Sequence, residues 1–460
     1  MSGTGARSGR ERTAMMLAEL ASDRRGPDRL PFVDPLTGLG NAQQLRHRVC
    51  ELAAERASDP APFTIGLANL DGFKPINDLF GPEAGDRILR QVAQRLRACV
   101  PEGATVMRTA DDEFALVLPL VFERKSAEKL GQMLKEILSA PFDLGDRTVR
   151  LSASFGFAVY PFAGAEFEDL LKSADTALYR SKRRGRGQIT VYSQEIAQEM
   201  KRATQLEQAL RNAIIAEEID VHFQPIVDLR SDGVVGFEAL ARWCDPEFGY
   251  VSPSVFVPLA EERGFIEALA EMLLRKAAQT ALAWPKELFL SFNLSSAQLM
   301  DPATSGRLLA IVNQVGLDPR RLELEITETA VMADADVAQK IVSELRAAGV
   351  RVSLDDFGTG QSSLCRLRDF SFDKVKIDRA FVSRISADRA SEHIVRAIVS
   401  MCEGLELEVV AEGIEDISEV LKLKALGCGM GQGYFYGKPA DAVATLRYLS
   451  DRHREVAVAR

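Results

Sequence analysis

The sequence predicts a mixed α/β protein with two domains, the second of which is a β/α barrel. The chain of 460 residues is longer than one typical domain. Short strand-like runs alternate with helical apolar patterns along most of its length. In the second half these runs recur over about 240 residues and several end in polar side chains, as expected for a barrel whose site lies at the C-terminal ends of its strands.

The composition is that of an ordinary globular protein, with 46% hydrophobic and 27% charged residues. No apolar run reaches the length of about 18 residues that a membrane span needs, so we expect none. The formal net charge of -9 disfavours binding to a nucleic acid polymer but permits a local basic pocket for a small anion. The six cysteines form no C-x-x-C pair, which disfavours a disulfide framework or a zinc site and favours the cytoplasm.

The first domain is expected to follow a flexible tail, residues 1–30, that is rich in Arg, Ser and Gly. D-P-L-T-G-L-G-N predicts turns before an amphipathic helix that starts near Ala42. The patterns that follow predict an alternating α/β domain. They are a buried strand at 63–70, a helix containing Ile88, a hairpin with an acidic tip at 108–118, a helix at 128–138, a strand at 149–159 and a helix at 167–182.

Three motifs make residues 31–192 resemble the GGDEF domain of diguanylate cyclases. They are D-P-L-T-G-L-G-N, F-K-P-I-N-D-L-F-G-P-E-A-G-D and A-L-Y-R-S-K-R-R-G-R-G. The signature departs from the family, because Ala110 and Asp111 replace its two glycines in A-D-D-E-F, and a Cβ and a carboxylate there hinder the approach of a triphosphate. Asn69 stands at the family's first metal-binding aspartate and is a weaker Mg²⁺ ligand. We therefore expect that cyclase activity is lost.

Other positions of the nucleotide site match this family. Asn77 and Asp86 stand where the family contacts guanine, and Lys182 and Arg186 stand where it contacts phosphate. The resemblance leaves two roles open for the domain, a regulatory role through bound GTP or a purely structural or dimerising role. The R-x-x-D inhibitory site of active cyclases is absent from the matching residues 101–104.

Residues 193–216 predict a helical connector, because they lack Gly and Pro and carry apolar residues at helical spacing. A rigid helix at this place would transmit a state from one domain to the other. An amphipathic helix that simply packs on the second domain is at least as good an interpretation.

The second domain is organised around V-R-V-S-L-D-D-F-G, residues 350–358. This stretch predicts a strand that ends at two adjacent carboxylates, Asp355 and Asp356, whose mutual repulsion favours a bound cation. Neighbouring strand-like runs end in, or present, Glu238, Asn293, Glu325, Lys376 and Glu412. Helical periodicity separates the runs at 265–283, 304–315, 337–347, 393–405 and 418–426. Oxygen ligands without His or Cys favour Mg²⁺ or Mn²⁺ over zinc, and such sites suit phosphate-ester hydrolysis.

Motifs in family order make residues 206–450 resemble the EAL domain, the cyclic di-GMP phosphodiesterase with a TIM-barrel-like fold. E-A-L itself stands at 238–240 and continues as A-R-W. The other motifs are F-Q-P-I-V-D-L, F-N-L-S, E-I-T-E-T, D-D-F-G-T-G, K-I-D, A-E-G-I-E and Q-G-Y-F-Y-G-K-P. So many separate motifs make a chance likeness very improbable. Residues 451–460 are then expected to form a C-terminal tail.

The resemblance implies a role for each matching residue of the metal site. Glu238, Asn293, Glu325 and Asp355 would bind one metal ion or both, and Asp356 would bridge the ions or bind the second one. Lys376 would hold or polarise the attacking water. Glu412 would assist as a base or through the second metal ion.

Further residues are implied around that site. Gln432 would line it, while Gln224 and Arg242 would contact the dinucleotide, the arginine through charge-assisted bonds to phosphate. Glu328 would anchor the loop that follows Asp356. The family usually has an aromatic residue after D-D-F-G-T-G, but this chain has Gln361, in the loop thought to couple dimerisation to metal binding.

The leading hypothesis is a cytoplasmic, homodimeric phosphodiesterase that uses two Mg²⁺ or Mn²⁺ ions to hydrolyse cyclic di-GMP to linear pGpG. Its GGDEF domain would be inactive. The rival hypothesis is a catalytically silent receptor or scaffold for cyclic di-GMP, and the retained metal-ligand positions disfavour it. A bifunctional cyclase and phosphodiesterase is disfavoured by Asn69, Ala110 and Asp111.

Overall fold

The computed structural model describes residues 32–55, 61–145, 147–328, 330, 334–358 and 370–458. Gln361 and the predicted tail at 1–30 lie outside the described residues. The chain divides into two compact units, Met1–Gln205 and Leu206–Arg460.

The N-terminal unit is an α/β domain with one central sheet. Its strands are β1 (Phe63–Asp71), β2 (Thr105–Ala110), β3 (Glu113–Leu118), β4 (Phe142–Asp143), β5 (Thr148–Val149), β6 (Ser152–Tyr160) and β7 (Ile189–Val191). Its helices are α1 (Ala42–Glu55), α2 (Phe73–Phe80), α3 (Pro82–Cys99), α4 (Arg124–Ser139), α5 (Phe167–Arg183) and the first part of α6 (Gln194–Ile215), which continues into the second unit.

The central sheet has the strand order β2-β3-β1-β6-β7, with β1 in its middle. β1 pairs antiparallel with β3 and β6, and β6 pairs parallel with β7. Alternate residues of β1 enter two different apolar cores, with Ile65 and Leu67 in one and Ala68 and Leu70 in the other. Because both faces are covered, the strand is an unbroken apolar run.

One predicted strand of this domain is divided. Residues 149–159 were expected to form a single strand, but Val149 belongs to β5, which pairs with β4 in a separate two-stranded ribbon. The long central strand β6 begins only at Ser152. Gly156 in β6 lies against α5, where a Cβ would come within 2.1 Å of the backbone nitrogen of Leu178. Only glycine allows the helix to approach the sheet this closely.

The C-terminal unit is a β/α barrel. Its strands are β8 (Asp220–Asp228), β9 (Val234–Asp245), β10 (Gly249–Val251), β11 (Phe289–Leu294), β12 (Leu322–Thr327), β13 (Arg351–Phe357), β14 (Lys374–Ile377), β15 (Glu408–Ala411) and β16 (Met430–Gln432). Its helices are α7 (Pro253–Arg263), α8 (Ile266–Ala281), α9 (Ser296–Leu299), α10 (Thr304–Val315), α11 (Ala335–Ala347), α12 (Arg379–Val382), α13 (Arg389–Gly404), α14 (Ile417–Ala425) and α15 (Ala442–Val458), with no break in α15 at residue 450.

The barrel closes through eight strands in the order β9-β11-β12-β13-β14-β15-β16-β8, with β8 paired back to β9. The strands from β9 to β16 run parallel to their neighbours, whereas β8 is antiparallel to both β9 and β16. The mixed α/β class and the TIM-barrel-like second domain that the sequence predicted are confirmed. Among the described residues, no helix combines the length and apolarity that crossing a bilayer requires.

Strand β9 departs from the sequence prediction. Glu238 was expected to end its strand, but β9 continues for seven more residues to Asp245. The extension is held by antiparallel pairing with β8 on one part and with the short β10 on another. Glu238 therefore projects from the middle of a strand into the barrel, directly across the β8–β9 ladder from Gln224.

Two layers of charged side chains lie inside the barrel. Alternation along β12 points Glu323 and Glu325 to the same side, and alternation along β14 does so for Lys374 and Lys376. Lys374 Nζ donates to Glu323 Oε2 at 2.7 Å, and Lys376 Nζ donates to Glu325 Oε2 at 2.6 Å. All four residues are at most 1% exposed. Because β13 lies between β12 and β14, each ion pair bridges across it.

The lower ion cluster consists of Glu323, Arg351, Lys374 and Glu408. Arg351 lies 3.6 Å from Glu323 and 3.8 Å from Glu408, and Lys374 also lies 3.8 Å from Glu408. The ring of Phe289 faces both cations, with Lys374 Nζ 4.1 Å and the Arg351 guanidinium carbon 4.5 Å from its centre. Two cations thus face two carboxylates, and this layer is balanced in charge.

Removal of one member of the lower ion cluster should destabilise the barrel. Lys374→Met leaves Glu323 buried with a weaker partner, so we expect a loss of about 3 kcal/mol in the free energy of unfolding. The double variant Glu323→Gln with Lys374→Met should recover most of that loss, because no buried charge remains unpaired. Urea unfolding followed by tryptophan fluorescence measures this in the full chain, since both tryptophans, Trp243 and Trp284, are buried in the C-terminal unit. Equal stability of the single and double variants would contradict the prediction.

Candidate active site

An irregularity in β13 brings two adjacent carboxylates to one place. Neighbouring residues of a regular strand point to opposite faces, so Asp355 and Asp356 could not share a site without a distortion. The pairing of β13 with β14 shifts register between Leu354 and Phe357, and Asp356 has a left-handed backbone with φ of 55°. As a result, carboxylate oxygens of Asp355, Asp356 and Glu412 all lie within 4.8 Å of one another.

Lys376 lies at the centre of the remaining carboxylates. Its Nζ is 2.5 Å from Glu412, 2.6 Å from Glu325, 3.6 Å from Asp355 and 3.7 Å from Glu238. The side chain is 2% exposed. We call Lys376 together with Glu238, Glu325, Asp355, Asp356 and Glu412 the upper carboxylate site.

Glu238 is held by amide side chains from two other strands. Its Oε1 accepts a bond of 2.8 Å from Asn293 Nδ2, and its Oε2 accepts a bond of 2.6 Å from Gln432 Nε2. The same Gln432 nitrogen donates to Gln224 Oε1 at 3.1 Å, and Gln224 donates to the carbonyl of Gly437 at 3.2 Å. Since Asn293 turns its nitrogen to Glu238, its amide oxygen is the atom that can bind a cation.

Burial and charge shift the pKa values of these groups. Burial opposes ionisation of Glu238, but Lys376 and the bonds from Gln432 and Asn293 hold its pKa below the ordinary value. Burial, reinforced by Glu238, raises the pKa of Glu325 well above the ordinary value. Burial likewise raises the pKa of Glu412 to about 8, against the pull of Lys376. Burial disfavours the charge of Lys376, yet the surrounding carboxylates raise its pKa well above the ordinary value.

Asp356 is exposed to solvent, and its pKa is also raised. Burial and the neighbouring Asp355 raise its pKa. The raised pKa values of Glu325, Asp356 and Glu412 mean that these carboxylates have too little positive charge near them to stabilise full ionisation. The upper carboxylate site therefore favours the entry of cations.

The upper carboxylate site fits divalent metal ions. Five carboxylates and one ammonium group give it a formal charge of -4 when all are ionised, which two divalent ions would balance. Asp355 Oδ1 is buried and accepts no hydrogen bond among the described residues, and Lys376 Nζ lies 3.6 Å away, so this oxygen can still bind a cation. All available donors are carboxylate or amide oxygens, the ligands that Mg²⁺ and Mn²⁺ prefer.

A cavity of about 710 Å³ adjoins these residues. Its lining includes Leu240, Asn293, Thr327 and Asp356. Apolar side chains of α7 and α8 line one part of the cavity, so a ligand there would meet the carboxylate of Asp356 in one part and apolar surface in another. Such a volume accommodates part of a dinucleotide.

Two predicted residues lie further from the carboxylates. Arg242 is on β9 four residues beyond Glu238, and therefore on the same face of the strand, where its Nη1 donates to the carbonyl of Ala241 at 2.8 Å. Glu328 is partly buried directly after β12. The loop that it was expected to anchor, including Gln361, lies outside the described residues, so that role stays a prediction.

The sequence reasoning missed two residues that support the site. Ser291 donates to Glu325 Oε1 at 2.6 Å, and its position two residues before Asn293 on the same strand face is the signal that alternation would have given. Gly433 packs against the chain after Glu412, where a Cβ would lie 2.1 Å from the carbonyl oxygen of Ile414. Any other residue at 433 would push this segment away from Gln432.

In the N-terminal unit, Arg108 fixes the A-D-D-E-F turn. Its Nη1 lies 3.2 Å from Asp34 Oδ1, and its Nη2 donates to the carbonyl of Asp111 at 2.8 Å. The carbonyl of Asp112 accepts from the backbone nitrogen of Leu70 at 3.1 Å and from Asn69 Nδ2 at 3.5 Å. Asn69 is thus buried and engaged with the turn through its nitrogen.

The residues predicted for GTP are partly assembled. Asn77 Oδ1 is buried with no hydrogen-bond partner among the described residues, and it lies against Gly85, next to Asp86. Lys182 lies close enough to Glu113 to lower its pKa, although burial raises that pKa overall. Arg186 is exposed and has a left-handed backbone with φ of 57°.

Comparison with known proteins matches each of the two units to a separate domain family. The family model for the EAL domain matches residues 207–439, and that for the diguanylate cyclase GGDEF domain matches residues 31–188. The bifunctional diguanylate cyclase/cyclic di-GMP phosphodiesterase MucR of Pseudomonas aeruginosa is 34% identical over 435 residues, which cover 94% of this chain and 63% of MucR. The cyclic di-GMP phosphodiesterase PdeR of Escherichia coli is 31% identical over 436 residues, covering 94% of this chain and 65% of PdeR. The chain spans somewhat less than two thirds of each of these relatives.

A solved structure supports the same relationship for the barrel. The PaMucR phosphodiesterase in complex with c-di-GMP is 36% identical to this chain, with a TM-score of 0.51. The similarity covers 52% of this chain and 99% of that one.

Substitutions of Asp356 should separate its backbone role from its charge. Asp356→Ala and Asp356→Asn both remove the carboxylate, but asparagine tolerates the left-handed backbone better. We expect the alanine variant to be less stable than the asparagine variant by about 1 kcal/mol. Urea unfolding in EDTA, followed by tryptophan fluorescence, provides the measurement. Equal stabilities would show that the left-handed backbone costs nothing at this position.

Proposed function

Because the chain belongs to the family of proteins in which a GGDEF domain precedes an EAL domain, we propose that its EAL domain hydrolyses cyclic di-GMP to linear pGpG. The observation that carries this proposal is the upper carboxylate site, with its formal charge of -4 and its buried Asp355 oxygen that accepts no hydrogen bond among the described residues. A protein that only bound the dinucleotide would have no need to gather five carboxylates around one lysine.

We assign the ligands of two divalent ions, Mg²⁺ or Mn²⁺, to Glu238, Asn293, Glu325, Asp355, Asp356 and Glu412. When bound, the ions would supply Lewis acidity that activates water and neutralises charge on the phosphoryl group.

The chain's own residues then have distinct tasks. Arg242 and Gln224 bind and orient the dinucleotide, the former through its phosphate. Lys376 Nζ orients the attacking water and keeps a fixed positive charge in a buried setting. Glu412, in the ionised form that the bound ions favour, accepts a proton from that water. The water oxygen bonds to phosphorus, and the bond from phosphorus to the 3′ oxygen breaks to give pGpG.

The GGDEF domain is assigned a non-catalytic role. Asn69 is neutral and Asp111 adds negative charge where a triphosphate would approach. Asn77, Asp86, Lys182 and Arg186 remain as a set through which GTP would act as a regulator. The alternative is a structural or dimerising role without nucleotide, within a homodimer.

The direct test is turnover of cyclic di-GMP by the purified full chain in Mg²⁺ or Mn²⁺, with pGpG quantified by chromatography. We expect Glu238→Ala and Glu238→Gln to lower kcat at least about a hundredfold, because each removes a metal ligand. Glu408→Gln, at a half-exposed carboxylate of the lower ion cluster, is the matched control and should retain turnover.

The same assay decides between the alternatives. No turnover with either ion, together with retained binding of cyclic di-GMP, would establish the silent receptor instead. A rise in turnover on adding GTP would give the GGDEF domain its regulatory role, and formation of cyclic di-GMP from GTP would contradict the loss of cyclase activity.

Binding of the divalent ions should release protons. Below its pKa of about 8, Glu412 carries a proton in the metal-free protein, and the ion needs the carboxylate. The apparent affinity should therefore rise with pH up to about 8 and then level off. Titration calorimetry at pH 7 in two buffers of different ionisation enthalpy measures the release. Identical heats in both buffers would contradict it.

The same pKa sets the stability of the metal-free protein. Between the ordinary value of 4.5 and about 8, the folded state holds a proton at Glu412 that the unfolded state has lost. The free energy of unfolding should therefore fall as the pH rises through this window. Saturation with the divalent ion should remove the fall.

A further inference from the structure

The two charged layers of the barrel differ in their balance of charge. In the lower ion cluster two cations, Lys374 and Arg351, face two carboxylates. In the upper carboxylate site, Lys376 lies within 4 Å of four carboxylates, and no second cation of the described residues is paired with these four. Both lysines lie on β14, two residues apart, and both are buried. The lower lysine therefore completes a neutral cluster, whereas the upper lysine faces, within the part of the chain that the structure describes, an excess of negative charge.

Lys376 shares its partners with the place that a divalent ion would occupy. Glu412 and Asp355, which lie 2.5 and 3.6 Å from Nζ, are also two of the three carboxylates that converge within 4.8 Å. An ion bound by Glu412 and Asp355 would therefore lie only a few ångströms from the ammonium group of Lys376. Two cations at such short separation also repel each other, and burial strengthens that repulsion.

We propose that Lys376 is the internal counter-ion of the metal-free site and that a divalent ion competes with its ammonium group for Glu412 and Asp355. This inference rests on the proposed function, because it presumes that the upper carboxylate site binds divalent ions. The ammonium group of Lys376 lowers the affinity of the upper carboxylate site for divalent ions. It also stabilises the folded barrel when no ion is bound. A protein built in this way is stable without metal and takes up ions reversibly.

The test measures Mg²⁺ affinity by calorimetry in the full chain at pH 9, where protonation of the carboxylates contributes least. Lys376→Met should bind Mg²⁺ at least about tenfold more tightly than the wild type, because the competing cation is gone. Lys376→Arg keeps the charge and should not tighten binding. Lys374→Met removes an equally buried lysine from the lower ion cluster and should leave the affinity within about twofold.

The outcomes distinguish this inference from the proposed function. If the wild type binds no Mg²⁺, the two-metal assignment fails. If the wild type binds Mg²⁺ but Lys376→Met binds it equally or more weakly, the counter-ion inference fails while the proposed function stands. Equal tightening by Lys374→Met would also overturn it, because the effect would then belong to any positive charge in the barrel.

Stability gives a second readout that does not depend on activity. In EDTA, Lys376→Met should unfold at lower urea than the wild type, and saturating Mg²⁺ should raise its midpoint by more than it raises the wild-type midpoint. If the variant is unfolded without metal, the inference requires that Mg²⁺ restore the fluorescence of buried Trp243 and Trp284. Failure of Mg²⁺ to do so would overturn it.

Discussion

The architecture of the second domain depends on one electrostatic constraint. Among the described residues, five carboxylates, of which Glu238 and Glu325 are buried, converge around the buried ammonium group of Lys376. Lys376 lies within 4 Å of four of them. Ionised carboxylates are costly inside a protein unless they are paired and hydrogen-bonded. Hydrogen bonds from neighbouring strands offset this cost. Asn293 and Gln432 donate to Glu238, and Ser291 donates to Glu325. The charge that remains is what makes the site a binding site for cations.

Strand geometry decides which of these groups can meet. Regular alternation delivers Glu323 and Glu325, and likewise Lys374 and Lys376, to two successive layers on the same side of the sheet. The same rule would separate Asp355 from Asp356, and the register shift with the left-handed backbone at Asp356 overcomes it. Regular alternation along the strands and the local irregularity at Asp356 therefore both contribute to assembling the upper carboxylate site.

In the first domain, polar side chains hold the A-D-D-E-F turn while the sheet packs into two apolar cores. Its sheet and helices are those of an intact α/β domain, with both faces of β1 covered. The altered turn is held by Arg108 through Asp34 and the carbonyl of Asp111, and Asn69 joins the turn through its amide nitrogen. Packing in the core is thus independent of the residues at the turn, so the fold persists whatever chemistry the turn supports.

The sequence by itself determined the two-domain α/β class, the barrel, and the residue types at the end of V-R-V-S-L-D-D, because periodicity and residue chemistry are local properties. It did not determine that β9 runs on past Glu238, that 149–159 divides into two strands, or that Asp355 and Asp356 share one side, since the register of pairing between strands sets each of these. Ser291 and the lower ion cluster escaped notice for the same reason. Which charges lie within reach of Lys376 was decided only by the closed barrel, which brings together strands whose paired residues are up to 206 positions apart, as in Gln432 and Ile226.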